Sequence, residues 1–304
     1  MTVEVLRKRS NRILWSYSRR FERRTINAYE GNINVHRIES RFYDAIHPEI
    51  FNLTEQKRLL GKIDRVATLL ESRHLNDLPV LDFGCGTGNV TGKLLDKRFK
   101  VVAADSSEEM INLVRRKFRP AIKSGQLQTQ LLSMDHEVPS GTYSAAILFS
   151  VYHHLFDTLA YVRKISRVLP VGGILLIDHE VSDEYWRIRR TKLYHLFTLS
   201  SWALNKWDRS LHGVVIPDLD YTLSDVHTSE SSRIKWDVEL KGIAGLGFEL
   251  QEMSFYLCRP TRLPNPSYVL LSRVISDSIS LLFNRVVSSD EYKVPIAPRN
   301  ATNA

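Results

Sequence analysis

Between Pro79 and Ile177, short apolar runs alternate with amphipathic segments, and this rhythm constrains the fold more than any other feature of the chain. Residues 80–83, 101–104, 127–132, 145–149 and 174–177 read as strands. A run such as Ala145-Ala146-Ile147-Leu148-Phe149 lacks polar alternation, which suits a strand covered on both faces. The segments between them carry helical signals. Ser106-Ser107-Glu108-Glu109 reads as a capping box ahead of Met110, Leu113 and Val114. Asp157 can cap a helix bearing Leu159, Val162, Ile165 and Leu169. Strands alternating with helices at this spacing predict an α/β protein, Rossmann-like, with a mostly parallel sheet and helices on both faces.

The flanks follow other rules. Leu59, Ile63, Val66 and Leu70 recur at helical spacing, so residues 1–75 are expected to form a helical extension or lid ahead of a core at 76–180. Residues 181–227 read as an inserted cap, aromatic-rich through Tyr185, Trp186, Tyr194, Phe197, Trp202 and Trp207. Residues 228–287 should complete the core, with a helix after Thr228 and a strand at 248–257. Residues 268–275 fit either a strand or a helix start, and residues 259–266, with three prolines, read as a loop. Residues 288–304 are expected to be a disordered tail.

Composition narrows the function. No run of about 18 residues is uncharged and strongly apolar, which argues against a spanning helix. Leu6 is followed by Arg7, Lys8 and Arg9, unlike a secretory signal. The two cysteines, Cys85 and Cys258, make neither a disulfide framework nor a zinc spacing, so the chain is expected to be reduced and cytoplasmic. Of the formal net charge of +8, most lies in residues 1–24, where eight Arg/Lys face only Glu4 and Glu22. A nucleic-acid binder would spread that excess along a face. The basic, partly amphipathic arm is instead a candidate for peripheral contact with a membrane surface, or a solvated helix covering the site.

The chemistry is announced by Val80-Leu81-Asp82-Phe83-Gly84-Cys85-Gly86-Thr87-Gly88, a strand entering a glycine-rich turn that opens a helix. Glycines let the backbone approach a ligand, and the helix start offers unpaired N–H donors. The third glycine comes one position too early for the dinucleotide pattern G-x-G-x-x-G. Asp105 closes the next strand, where a carboxylate can accept both hydroxyls of a ribose.

LDFGCGTG followed by VVAADSSEEM resembles the first two motifs of class I S-adenosylmethionine-dependent methyltransferases. The likeness continues through SVYHHLFD and RVLPVGGILLI and is nearest the ubiquinone/menaquinone and small-molecule branch. It implies S-adenosyl-L-methionine as cofactor. Asp82, Gly84, Gly86 and Gly88 would hold its methionine end, Asp105 with Ser106 the ribose, Met110 and Asp135 the adenine. Ser150 would lie beside it, and Tyr43, in a segment similar to the family's first helix, would cover it. Tyr143-Ser144 and the position of Pro170 depart from the usual pattern, away from the methyl group.

The acceptor should sit where the strands end at their carboxyl edge. His153 and His154 follow the fourth strand there and are the candidate general bases; Asp178, His179 and Glu180 follow the fifth. Neighbours on a strand point to opposite faces, so the last three are not expected to share a metal, and no metal is predicted. The aromatic cap suggests a small, partly apolar or lipid-like acceptor. Ser150-Val151-Tyr152-His153 is unlike the segment of amino-methylating DNA enzymes, which argues against nucleic acid. An RNA or DNA methyltransferase and a non-catalytic subunit of the same fold are the rival readings. Oligomeric state is left open.

Overall fold

A computed structural model describes residues 43–132, 137–211, 232–261, 265–273 and 275–286. The basic arm at 1–24, Asp135 and the 288–304 tail lie outside the described residues.

The strands form one sheet in the order β3-β2-β1-β4-β5-β7-β6. β1 (Val80–Phe83) is central, flanked by β2 (Val101–Asp105) and β4 (Ala145–Phe149). β3 (Leu127–Leu131) and β5 (Ile174–Val181) continue outward, all parallel. β1, β2 and β4 are buried along their whole length and are apolar apart from Asp82 and the terminal Asp105, as suits strands covered on both faces. The far edge differs: β7 (Ser278–Arg285) enters antiparallel between β5 and β6 (Phe248–Tyr256).

Two apolar layers cover the sheet. On one face α2 (Leu53–Ser72) buries Leu59, Ile63, Val66 and Leu70 against Val80, Val101, Ile147 and Leu176. α3 (Asn89–Asp96) and α4 (Glu108–Lys117) contribute Val90, Leu94, Ile111 and Val114 to this layer. On the other face α6 (Thr158–Ser166) and α9 (Trp236–Gly245) pack Val162, Ile165, Trp236 and Ile243 over Leu81, Ala146 and Leu175. α1 (Tyr43–Ile46) precedes α2, and α5 (Arg119–Lys123) leads to β3.

Asp157 caps α6 by accepting from Ala160 N, as its position suggested. The cap of α4 is shifted by one residue from the expected box. Ser107, not Ser106, is the N-cap, and its hydroxyl accepts from Met110 N at 3.3 Å. The displacement follows from Asp105, whose Oδ1 already accepts from Ser107 N at 2.8 Å and fixes the chain one step later. Residues 268–271 fall in a helix, α10 (Pro266–Leu271), capped by Asn265 with Pro266 at its start.

The aromatic segment divides. α7 (Asp183–Ile188) and α8 (Lys192–Leu211) bury Trp186, Tyr194 and Phe197, the last two in a small core with Ile188, Leu257 and Leu271. Trp202 and Trp207 stay more than half exposed.

Candidate functional site

The loop leaving β1 is built on backbone bonds to the neighbouring strand. Gly84 N and Cys85 N both donate to Ala104 O, at 2.8 and 3.0 Å. Gly84 has φ +74°, and a methyl group there would overlap Val151 Cγ2. Gly86 has φ +49°, yet among the described residues nothing lies within 4 Å of the place its Cβ would take. The first glycine is therefore demanded by packing. The second stands at the rim of open space, a cradle that a side chain would fill. Gly88 is the N-cap of α3.

Asp105 locks this loop. Its Oδ2 accepts from Gly86 N at 2.8 Å while Oδ1 takes Ser107 N. A carboxylate has about four acceptor positions, so capacity is left for two further donors. Ser106 is half-buried beside it, and Met110 is buried on α4. α1 is drawn onto the same loop: the Thr87 hydroxyl donates to Asp44 Oδ1 at 2.7 Å. Tyr43 thereby reaches the loop's neighbourhood, its ring 4.2 Å from that of His47. The open cradle at Gly86 and the spare acceptor capacity of Asp105 fit the ribose hydroxyls of an adenosyl cofactor.

Asp82 has a second task. Wholly buried, it accepts from the Thr91 hydroxyl at 2.5 Å, tying the end of β1 to α3. Burial pushes its carboxyl up to about 7, against the opposing pull of the Thr91 hydrogen bonds.

Beyond β4 the chain turns sharply. Ser150, at φ +56°, donates its N–H to Asp178 O, and Val151 fills the space left by Gly84. A 3₁₀ turn at Tyr152–His154 then places His153 and His154 with ring centroids 4.0 Å apart. Glu180 of β5 underlies this turn. Its Oε1 accepts from Val151 N (3.0 Å) and Tyr152 N (2.8 Å), and its Oε2 meets His153 N (3.2 Å) and His153 Nδ1 (2.8 Å). Tyr152 is stacked on Trp236 and donates its hydroxyl to Glu239 at 2.7 Å, fastening the turn to α9. The glycine loop, the histidine pair and Glu180 thus form one connected unit.

The expected alternation of Asp178, His179 and Glu180 does not hold. The β5–β7 register slips between Ile177 and Glu180, and His179 has φ +62°. This bulge turns His179 to the same side as Asp178. Asp178 accepts from Arg58 Nη1 of α2 at 2.8 and 3.1 Å, and His179 stacks on Phe149 near Tyr256 and Glu55. Arg58 also donates through Nε to Glu55 and lies 4.0 Å from the Tyr256 ring. Burial, reinforced by the Arg58 charge, pushes His179 down to about 4, a neutral imidazole near pH 7. Burial raises the thiols of Cys85 and Cys258 well above their ordinary value, which leaves neither as a nucleophile. Among the described residues no cluster of His, Cys, Asp or Glu could hold a metal ion.

Glu55 and Arg58 gave no sequence signal, since charges on an amphipathic helix ordinarily face water. The partner of Arg58, Asp178, lies 120 residues away along the chain. His136, like Asp135, is outside the described residues.

A family model described as a methyltransferase domain matches residues 51–213. An uncharacterized methyltransferase of Schizosaccharomyces pombe is 29% identical over 130 residues, covering 40% of this chain and 46% of that protein. Glycine N-methyltransferase of Rattus norvegicus is 29% identical over 119 residues, covering 34% and 41%. The chain thus spans less than half the length of these curated relatives. The solved magnesium protoporphyrin IX methyltransferase of Synechocystis superposes with a TM-score of 0.45 at 17% identity, over 76% of this chain and 82% of that one. That likeness is too loose to bear on function. The match of the family model over more than half of the chain, on the segment that holds the glycine loop, Asp105 and the histidine turn, makes this protein a member of the methyltransferase domain family.

Proposed function

We propose that the chain transfers a methyl group from S-adenosyl-L-methionine to a small, partly apolar or lipid-like acceptor. The observation that carries the reading is the lock between Asp105 Oδ2 and Gly86 N beside an open cradle. When bound, the cofactor supplies an activated methyl on a sulfonium leaving group. The remaining work is alignment and exclusion of water. Asp105, with Ser106, accepts the ribose hydroxyls, the open cradle at Gly86 leaves room for the methionine end, and Met110 packs by the adenine. Asp82 acts through the loop it braces. Tyr43, carried on α1, covers the site, and Ser150 borders it. Holding reactants in line is worth about 7–11 kcal/mol in well-oriented cases.

The acceptor belongs at the carboxyl edge of β4 and β5, beside His153 and His154 and under α7 and α8. The aromatic-rich segment that forms α7 and α8 favours an apolar body there, although Tyr194 and Phe197 are themselves taken up in the core with Ile188, Leu257 and Leu271. The branch of quinone-biosynthesis and small-molecule enzymes is the one the motifs resemble. Peripheral membrane contact through residues 1–24 would suit a lipid-like acceptor; among the described residues no helix is long and apolar enough to cross a membrane.

Calorimetric titration tests the cofactor assignment without knowledge of the acceptor. S-adenosylmethionine and S-adenosylhomocysteine should bind with one-to-one stoichiometry and NAD should not. Binding of NAD alone, or of none of the three, would overturn the proposal.

A further inference from the structure

We propose that Glu180 is the positioning residue of His153, fixing the ring tautomer in which Nδ1 carries the hydrogen and Nε2 is the proton acceptor of the site. The argument starts from the carboxylate. Glu180 is 1% exposed, and its two oxygens already receive the backbone N–H groups of Val151, Tyr152 and His153. Three donors converging on one side chain mark it as an acceptor, and a carboxylate has no hydrogen to give. The fourth contact, 2.8 Å between Glu180 Oε2 and His153 Nδ1, must therefore be a hydrogen bond donated by the ring. That leaves Nε2 with the lone pair.

The main-chain bonds make this more than a surface ion pair. The same carboxylate that orients the ring also holds the backbone of its turn, so the imidazole has neither a free hinge nor a free χ1. Val151 of that turn packs against Gly84, so the ring's position is set relative to the cofactor loop. Glu180 from β5 and His154 from its own turn both face His153.

The inference rests on the methyltransferase reading for its purpose. As an acceptor oxygen or nitrogen forms its bond to the methyl carbon, the carbon–sulfur bond breaks with its electron pair going to sulfur. The proton shed by the acceptor passes to His153 Nε2. The arrangement suits acceptors whose attacking atom carries both a lone pair and a proton, such as a phenol, an enol or a neutral amine.

The tautomer is measurable without an acceptor. In protein labelled with ¹⁵N in histidine, the His153 ring is assigned by loss of its signals in His153→Gln, and long-range ¹H–¹⁵N spectra then report each nitrogen. The wild-type ring should show a pyrrole-type Nδ1 and a pyridine-type Nε2 above its titration midpoint. Glu180→Gln, which turns an amide N–H toward the ring, should exchange the two signals and lower the midpoint. Glu180→Asp keeps the charge on a shorter arm and serves if the glutamine variant does not fold; it should broaden or mix the two signals. A wild-type ring protonated at Nε2, or an unchanged tautomer in a folded Glu180 variant, would overturn the proposal. Calorimetry with S-adenosylhomocysteine on the same samples reports the cofactor site separately, so either idea can fail alone.

Discussion

The contact between Gly84 and Val151 can be tested as a pair. Alanine at Gly84 must keep φ near +74°, which costs about 1–2 kcal/mol for a residue with a Cβ. Its methyl would also overlap Val151 Cγ2 and stand 3.0 Å from Cγ1, and overpacking of this kind costs about 1–3 kcal/mol. Gly84→Ala should therefore lose about 2–5 kcal/mol of stability. Val151→Ala removes the obstructing methyls, so in the double variant only the backbone cost should remain, and the two substitutions should couple favourably by about 1–3 kcal/mol. Urea unfolding with linear extrapolation measures each corner of the cycle. Gly86→Ala is the control: with no neighbour within 4 Å it should lose only the backbone cost, about 1–2 kcal/mol, but much of its affinity for S-adenosylmethionine. Strict additivity of Gly84→Ala and Val151→Ala, or a Gly86→Ala variant that binds as wild type, would refute the reasoning.

Other expectations concern charge. Asp105→Ala should weaken S-adenosylmethionine about 10- to 150-fold by calorimetry, because one hydrogen bond to a charged group is worth about 1.5–3 kcal/mol. Asp82 has its folded value raised to about 7, so the stability it contributes is full below the unfolded value near 3.9 and is lost as pH rises through 7. Urea unfolding of Asp82→Asn should therefore gain on wild type by about 1.4 kcal/mol per pH unit between pH 5 and 7; parallel curves would contradict the assignment. Arg58→Met strands the buried carboxylates of Glu55 and Asp178, and should cost about 3–5 kcal/mol in the same assay.

What the sequence disclosed and what it hid divide along physical lines. β1, β2 and β4 were legible because strands buried on both faces can only be apolar, and Ala145–Phe149 has no other reading. The glycine loop was legible because the positive φ of Gly84 and its contact with Val151 leave little room for any other residue. β7 was not. Ser278, Ser280 and Arg285 interrupt its apolar residues, yet all three are buried, Arg285 over the Phe248 ring and donating to Leu246 O. Its partners lie about 30 and 110 residues away, beyond the reach of any local pattern. β5 runs past Ile177 for the same reason: Asp178, His179 and Glu180 look like a strand's polar end, and pairing with β7 carries the strand on to Val181. The helix starts one residue later than its capping box suggests because the Asp105 carboxylate takes the N–H of Ser107.

The placement of β7 has a consequence for biosynthesis. It is the last strand in chain order among the described residues, yet it lies inside the sheet, between β5 and β6. A nascent chain that has emerged only as far as Tyr256 holds five parallel strands with an open hydrogen-bonding edge on β5, and a β6 with no neighbour to join. Until residues 278–285 leave the ribosome, that edge can recruit another chain as readily as its own. Vectorial synthesis therefore leaves the glycine loop able to assemble early, while the histidine turn, held by Glu180 on the strand awaiting its neighbour, becomes fixed last.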